Sequence, residues 1–330
     1  MDKEKGKKEL LLVTPSPHIT KGETTSRGMW MVSLALLPAL LASLYFFGLK
    51  ALELELVAIA SAVVTEALIQ RLRGIPITVL DGSAVLTGLL LAFNLPPGVP
   101  LWLAAVGAAF GIGVAKQAFG GLGHNIFNPA LAGRIFVMHS WLTRMTTWSP
   151  PHTSFYAGVD ALTYATPLGA AKESVLHWLP GVSGGYNWFD MFWGNIGGCI
   201  GETSALALLL GGLFLLWRGQ IRWHTPVAFI ATVALLTWVL PARAGSVHLS
   251  PLYHILGGGL FLGAFFMATD PVTAPLTGKG MLFFGAGCGL ITAFIRLYGG
   301  FPEGVCYSIV IMNAFTPLID KYTRPRIFGA

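Results

Sequence analysis

The chain has 330 residues, of which 54% are hydrophobic and only 11% charged, against about 25% charged in a soluble domain. That balance excludes an ordinary soluble domain and reads as an all-α polytopic membrane protein. The formal charge of +6 is accounted for by basic side chains beside apolar spans, which orient a membrane protein, so no nucleic-acid partner is implied.

Residues 1–28 are polar and Lys-rich, too long and too charged ahead of the first apolar run for a cleaved signal peptide. They read as a cytoplasmic N-terminal arm. Apolar runs approaching the roughly 20 residues of a membrane-crossing helix then recur to the C-terminus. About ten are predicted, over 29–48, 52–70, 79–95, 100–118, 128–145, 203–217, 224–241, 252–268, 280–297 and 303–320. They fall into a first transmembrane half, 29–145, and a second, 203–330, separated by a polar loop region, 146–202.

The basic residues set the orientation. With the N-terminus inside, the inner segments hold fifteen lysines and arginines and the outer segments five, with Arg134 left inside a span. A bias of that sign marks the cytoplasmic side. Both termini are therefore expected inside, and the 146–202 loop outside. Ala92-Phe93-Asn94-Leu95-Pro96, Pro100, an apolar helix and Gly120-Gly121 resemble Ala268-Thr269-Asp270-Pro271, Pro275, an apolar helix and Gly299-Gly300. Five spans separate the copies, and an odd separation gives an inverted repeat, in which Pro- and Gly-interrupted segments line a site near the bilayer midplane.

Several features stand out along the chain. Phe119-Gly120-Gly121-Leu122-Gly123-His124-Asn125 through Asn128-Pro129 lets backbone approach a ligand and offers N–H groups that could cradle an anion; a tight turn is the ordinary alternative. Asp270 and Asp81 sit at span boundaries, where a carboxylate is simply solvated unless it lies deeper, as a cation or flavin contact. Arg134 costs about 2.5 to 3.5 kcal/mol at a helix centre, so it should lie near an inner mouth or pair with an anion. Trp148, Trp178, Trp188 and Trp193 read as an interfacial aromatic belt, or as a surface for stacking a planar cofactor. Cys199, Cys288 and Cys306 lack the number and spacing for an ordinary iron–sulfur cluster and read as small residues at helix contacts. In the outer loop, Thr166 precedes Pro167, which biases its backbone toward extended conformation and is expected to present the hydroxyl outward.

These residues together resemble a known family: the D subunit of the Rnf ion-translocating ferredoxin:NAD oxidoreductase complex, related to the B subunit of the sodium-translocating NADH:quinone reductase. The resemblance runs through Ser16-Pro17-His18-Ile19, Asp81-Gly82-Ser83-Ala84, Gly120 to Asn125, Gly201-Glu202-Thr203-Ser204, Ala268 to Thr273, Gly299 to Val305 and Pro317-Leu318-Ile319-Asp320. The short N-terminal arm is similar to that of the Rnf protein and unlike the longer quinone-reductase one.

The resemblance implies a covalent FMN, esterified through its phosphate to a threonine in a Ser/Thr-x-Ala-Thr motif. Here that is Thr163-Tyr164-Ala165-Thr166, with Thr166 the attachment residue, Thr163 the second candidate and Tyr164 standing where a small residue is usual. It further implies a flavin transferase acting on the outer side, partner subunits including a second covalent-flavin subunit, and room for a second, noncovalent flavin such as riboflavin. Gly120, Gly121, Asn125 and Asp270 are the candidate contacts beyond the motif. The implied role is a flavin-carrying subunit of an oxidoreductase in a bacterial or archaeal cytoplasmic membrane, passing electrons between reduced ferredoxin and NAD with Na+ or H+ translocation. The alternative is an inverted-repeat transporter or channel without a redox cofactor, or a scaffold whose flavin sites have decayed.

Overall fold

The computed structural model describes residues 24–151, 166–169, 187–240, 249–301 and 303–324. Every regular element among them is helical. Helices α1 (Thr25–Ala35) and α2 (Leu37–Phe47) run on from one another past Pro38, and Thr24 caps the first by accepting the Arg27 N–H at 3.3 Å. Gly48, at φ +69°, turns the chain into α3 (Leu49–Leu72). Then come α4 (Ser83–Phe93), α5 (Leu101–Phe110) with a π-helical continuation at Gly111–Gln117, α6 (Pro129–Ser140) and the single turn α7 (Leu142–Met145). The second half holds α8 (Trp188–Trp193), α9 (Ala205–Trp217), α10 (His224–Val239), α11 (Pro251–Leu256), α12 (Leu260–Leu262) with a π continuation at Gly263–Met267, α13 (Gly278–Tyr298) and α14 (Val305–Tyr322).

Two stretches among the described residues are long and apolar enough to cross a membrane, Thr25–Phe47 and Gly278–Tyr298. Several expected spans are shorter. The run 79–95 contributes Ser83–Phe93, closed at Asn94 ahead of Pro96 and Pro97, and 252–268 is split at Gly257–Gly259, where Gly258 takes φ +67°. Tyr253 O receives the Gly257 N–H at 2.9 Å and ends the first piece. At 94–100 and at 268–277 the chain runs through irregular, Pro-containing segments between helical ones.

The helices meet through small residues. A Cβ on Gly88 of α4 would lie 2.6 Å from Ile59 Cα of α3, and one on Gly289 of α13 would lie 2.6 Å from Thr232 Cβ of α10. Gly285 and Gly289 form a Gly-x-x-x-Gly stripe on α13, which lets backbones approach closely where lipid supplies no hydrophobic drive. Outward faces carry exposed Leu41, Tyr45, Trp217, Trp238 and Phe283, an exterior matched to hydrocarbon. All three cysteines are free and buried; Cys288 and Cys306 lie on helices, whereas Cys199 lies in the loop ahead of α9.

Candidate functional site

The expected residues fall at two separate places. The first is a turn at 166–169. Pro167, with φ fixed near the helical value, opens a helical turn, and the Thr166 hydroxyl accepts the Gly169 N–H at 3.0 Å, as an N-cap does. Thr166 is only 5% exposed. The expectation of an outward hydroxyl is thus corrected: the threonine stays outside the helix, but capping draws its oxygen inward.

The turn is seated on the broken second-half helix. Tyr253 donates its hydroxyl hydrogen to Pro167 O at 2.6 Å. Leu168 lies against Gly257 and Gly258, and Met191 of α8 reaches Gly257 as well. Helix α8 carries Trp188, Phe189 and Trp193, all exposed, with the Phe189 and Trp193 rings parallel at 6.3 Å. Thr163, Tyr164 and Ala165 lie outside the described residues.

The second place is a cavity of about 290 Å³ opening between α1, α4, the π segment after α5, the start of α6 and the segment after Met267. Ser83, Thr87, Lys116, Asn125, Asn128 and Asp270 supply its polar wall; Leu86, Leu90, Phe265 and Phe266 supply apolar wall. Asn128 positions two of these elements at once: its side-chain oxygen caps α6 by accepting Ala130 N–H at 3.0 Å, and its amide reaches Met267 O at 3.5 Å. Asn125 donates to Phe127 O at 3.2 Å, while its side-chain oxygen is buried with no partner. A buried acceptor left empty costs about 1–3 kcal/mol, so this atom is a natural point for a ligand N–H. Asp270 accepts from Val272 N–H and from the Thr273 hydroxyl; burial raises its pKa, and those two bonds lower it.

Asn125 and Asp270, read from distant motifs, therefore line one cavity. Gly120 and Gly121 do not line it. Their φ values of +122° and +99° belong to a turn in which Gly120 N–H donates to Gln117 O and Gly121 N–H to Lys116 O. Gly120 and Gly121 therefore contribute no N–H to an anion cradle, since both groups are spent closing the π-helical end.

Lys116, one of the fifteen basic residues of the inner segments, is 1% exposed and reaches Glu66 of α3 at 2.7 Å and the Ser83 hydroxyl at 2.6 Å. Two opposite charges inside apolar runs are the signal for this pair in the sequence. Arg134 resolves toward the second of its two expectations. Its guanidinium pairs with Glu202 at 3.0 Å and with Glu303, and also donates to Asn94 Oδ1 at 2.6 Å.

The matching family model, described as the NQR2, RnfD, RnfE family, spans residues 12–329. Among curated relatives, the chain is 49% identical, over 98% of its length and 97% of the relative's, to the D subunit of the proton-translocating ferredoxin:NAD(+) oxidoreductase complex of Clostridium ljungdahlii. It is 47% identical, over 97% of its length and 95% of the relative's, to the D subunit of the Na(+)-translocating ferredoxin:NAD(+) oxidoreductase complex of Acetobacterium woodii. The D subunit of the ion-translocating oxidoreductase complex of Cronobacter sakazakii is 41% identical, with coverage of 96% and 98%.

Proposed function

The chain belongs to the NQR2, RnfD, RnfE family, and from that footing we propose that it is the D subunit of an ion-translocating ferredoxin:NAD oxidoreductase complex, carrying flavin on the electron path. End-to-end identity with relatives named as that component carries the reading. It acts with the other membrane and peripheral subunits, one of them a second covalent-flavin subunit. It lies in a bacterial or archaeal cytoplasmic membrane with about ten passes in an inverted repeat, both termini cytoplasmic and the Thr166 turn outside. The two short helices ahead of Pro-containing segments support that topology, because broken helices of this kind line sites in inverted-repeat membrane proteins.

FMN is held as a phosphoester on Thr166, placed there by a flavin transferase on the outer side. Esterification replaces the hydroxyl hydrogen and keeps the oxygen, so Gly169 N–H retains its acceptor. Burial of Thr166 requires the transferase to act before the turn seats on Tyr253. The exposed rings of Trp188, Phe189 and Trp193 on the adjoining helix suit a planar group tethered there.

A second, noncovalent flavin fits the cavity. Asn125 Oδ1 is an unpartnered acceptor for a ring N–H, and Leu86, Phe265 and Phe266 keep water from the ring. Bound flavin accepts two electrons and releases them singly, which lets one subunit link two-electron and one-electron carriers.

The reading is tested by isolating the tagged chain from its native membrane. Reduced-ferredoxin-dependent NAD reduction should copurify with it, with ion uptake into vesicles that follows H+ or Na+. Recovery of the chain apart from a complex that remains active would overturn the assignment.

A further inference from the structure

We propose that Glu202 and Glu303, bridged by Arg134, form a buried site that holds one exchangeable proton, separate from either flavin position. Four segments converge to build it. Arg134 projects from α6, Asn94 closes α4, Glu202 precedes α9, and Glu303 precedes α14. The placement of Glu202 is fixed by backbone: Ile200 N–H donates to Leu95 O and Gly201 N–H to Phe93 O, both at 3.0 Å. A side chain at Gly201 would collide with the Phe93 ring.

Arg134 engages one oxygen of each carboxylate, Oε1 of Glu202 and Oε2 of Glu303. The other oxygen of Glu202, in a residue only 4% exposed, accepts no N–H or O–H, and the Cys199 thiol is the weak donor beside this carboxylate. Ligand atoms of Cys199, Glu202 and Glu303 all lie within 4.8 Å of one another. Two carboxylates this close, removed from water, do not both stay ionised without further compensation. Arg134 already lies between them, so a metal ion in the same space would meet a guanidinium at contact distance. A proton adds no such clash; it converts the orphaned acceptor into a donor and leaves one carboxylate for Arg134.

The remaining neighbours do not remove the need. Arg296, from α13, is close enough for its charge to act on Glu202 and Glu303, but it sends both terminal nitrogens to the carbonyls of His254 and Gly257 and forms no ion pair with either carboxylate among the described residues. Cys199 faces the guanidinium at 3.6 Å, and Cys306 and Tyr307 flank it from α14. Glu303, with a side chain 15% exposed, gives the proton its way out.

The test is infrared spectroscopy of the purified complex across a pH series in H2O and D2O. A protonated-carboxyl C=O band that shifts on deuteration and disappears at high pH is expected. Because the proton belongs to the pair, Glu202→Gln and Glu303→Gln should each abolish it, leaving the other glutamate ionised against Arg134. Glu55, a separate buried carboxyl bonded to Ser43, is identified by Glu55→Gln. If Glu202→Gln fails to assemble, Glu202→Asp should keep the band and move its midpoint. Absence of the band in the parent complex, or its survival in both Gln variants, would overturn the proposal.

Discussion

The Lys116 ammonium lies 2.7 Å from the Glu66 carboxylate, joining the π-helical end of α5 to α3, and both residues are about 1% exposed. Gln117 donates to the same carboxylate at 2.8 Å, so the pair is bonded as well as neutralised. Removing one partner of a buried pair typically costs about 3–5 kcal/mol, whereas replacing both with neutral groups is often tolerated. Lys116→Met should therefore lower the stability of the purified complex sharply, and Lys116→Met with Glu66→Gln should recover most of the loss. Thermal unfolding in detergent measures both.

Helix packing gives a cleaner contrast. A Cβ at Gly88 would sit 2.6 Å from Ile59 Cα and 2.8 Å from Ala58 O, while one at Gly113 would meet only Ile69 Cδ1 at 3.5 Å. Overpacking costs about 1–3 kcal/mol. Gly88→Ala should destabilise by that amount and Gly113→Ala by little, read in the same unfolding experiment.

The cavity's unpartnered Asn125 oxygen makes its own prediction. Asn125→Leu should weaken binding of the acid-extractable, noncovalent flavin by roughly 5- to 150-fold, the equivalent of about 1–3 kcal/mol for a lost buried partner. Covalent flavin should be unaffected. Quantifying flavin in the acid supernatant and in the protein pellet separates the two.

Much of this arrangement is legible along the chain, and the reasons the rest is not are local. Asn125 and Asp270 are accessible because each lies in a Gly- or Pro-marked segment between apolar runs. That they line one cavity depends on Asn128 reaching Met267 O, a contact between segments far apart in the chain. The run 252–268 is almost uniformly apolar, so hydropathy joins what Gly258 breaks; the consecutive glycines Gly257, Gly258 and Gly259 are the sign of the break. Arg134 announces a missing anion, but its partners arrive on two loops, one of them pinned to Phe93 and Leu95 by backbone bonds. Thr166 shows the converse limit. Its motif singles it out as the proposed attachment residue, yet the bond from Gly169 N–H decides where the oxygen points.

The seating of that turn is itself testable. Tyr253→Phe removes the 2.6 Å bond to Pro167 O, worth about 1 kcal/mol. Flavinylation should still occur, but the attached flavin should become more mobile, seen as lower fluorescence anisotropy in the native complex.

The central claim, a flavin-carrying redox subunit, rests most directly on Thr166. The chain should be produced with its flavin transferase, run on a denaturing gel, viewed for flavin fluorescence and mapped by peptide mass. The account predicts an FMN-sized addition on the peptide containing Thr166, lost in Thr166→Ala while the variant still enters the membrane. A transferase active on a known substrate that leaves this chain unmodified, or covalent flavin persisting in Thr166→Ala, would contradict it.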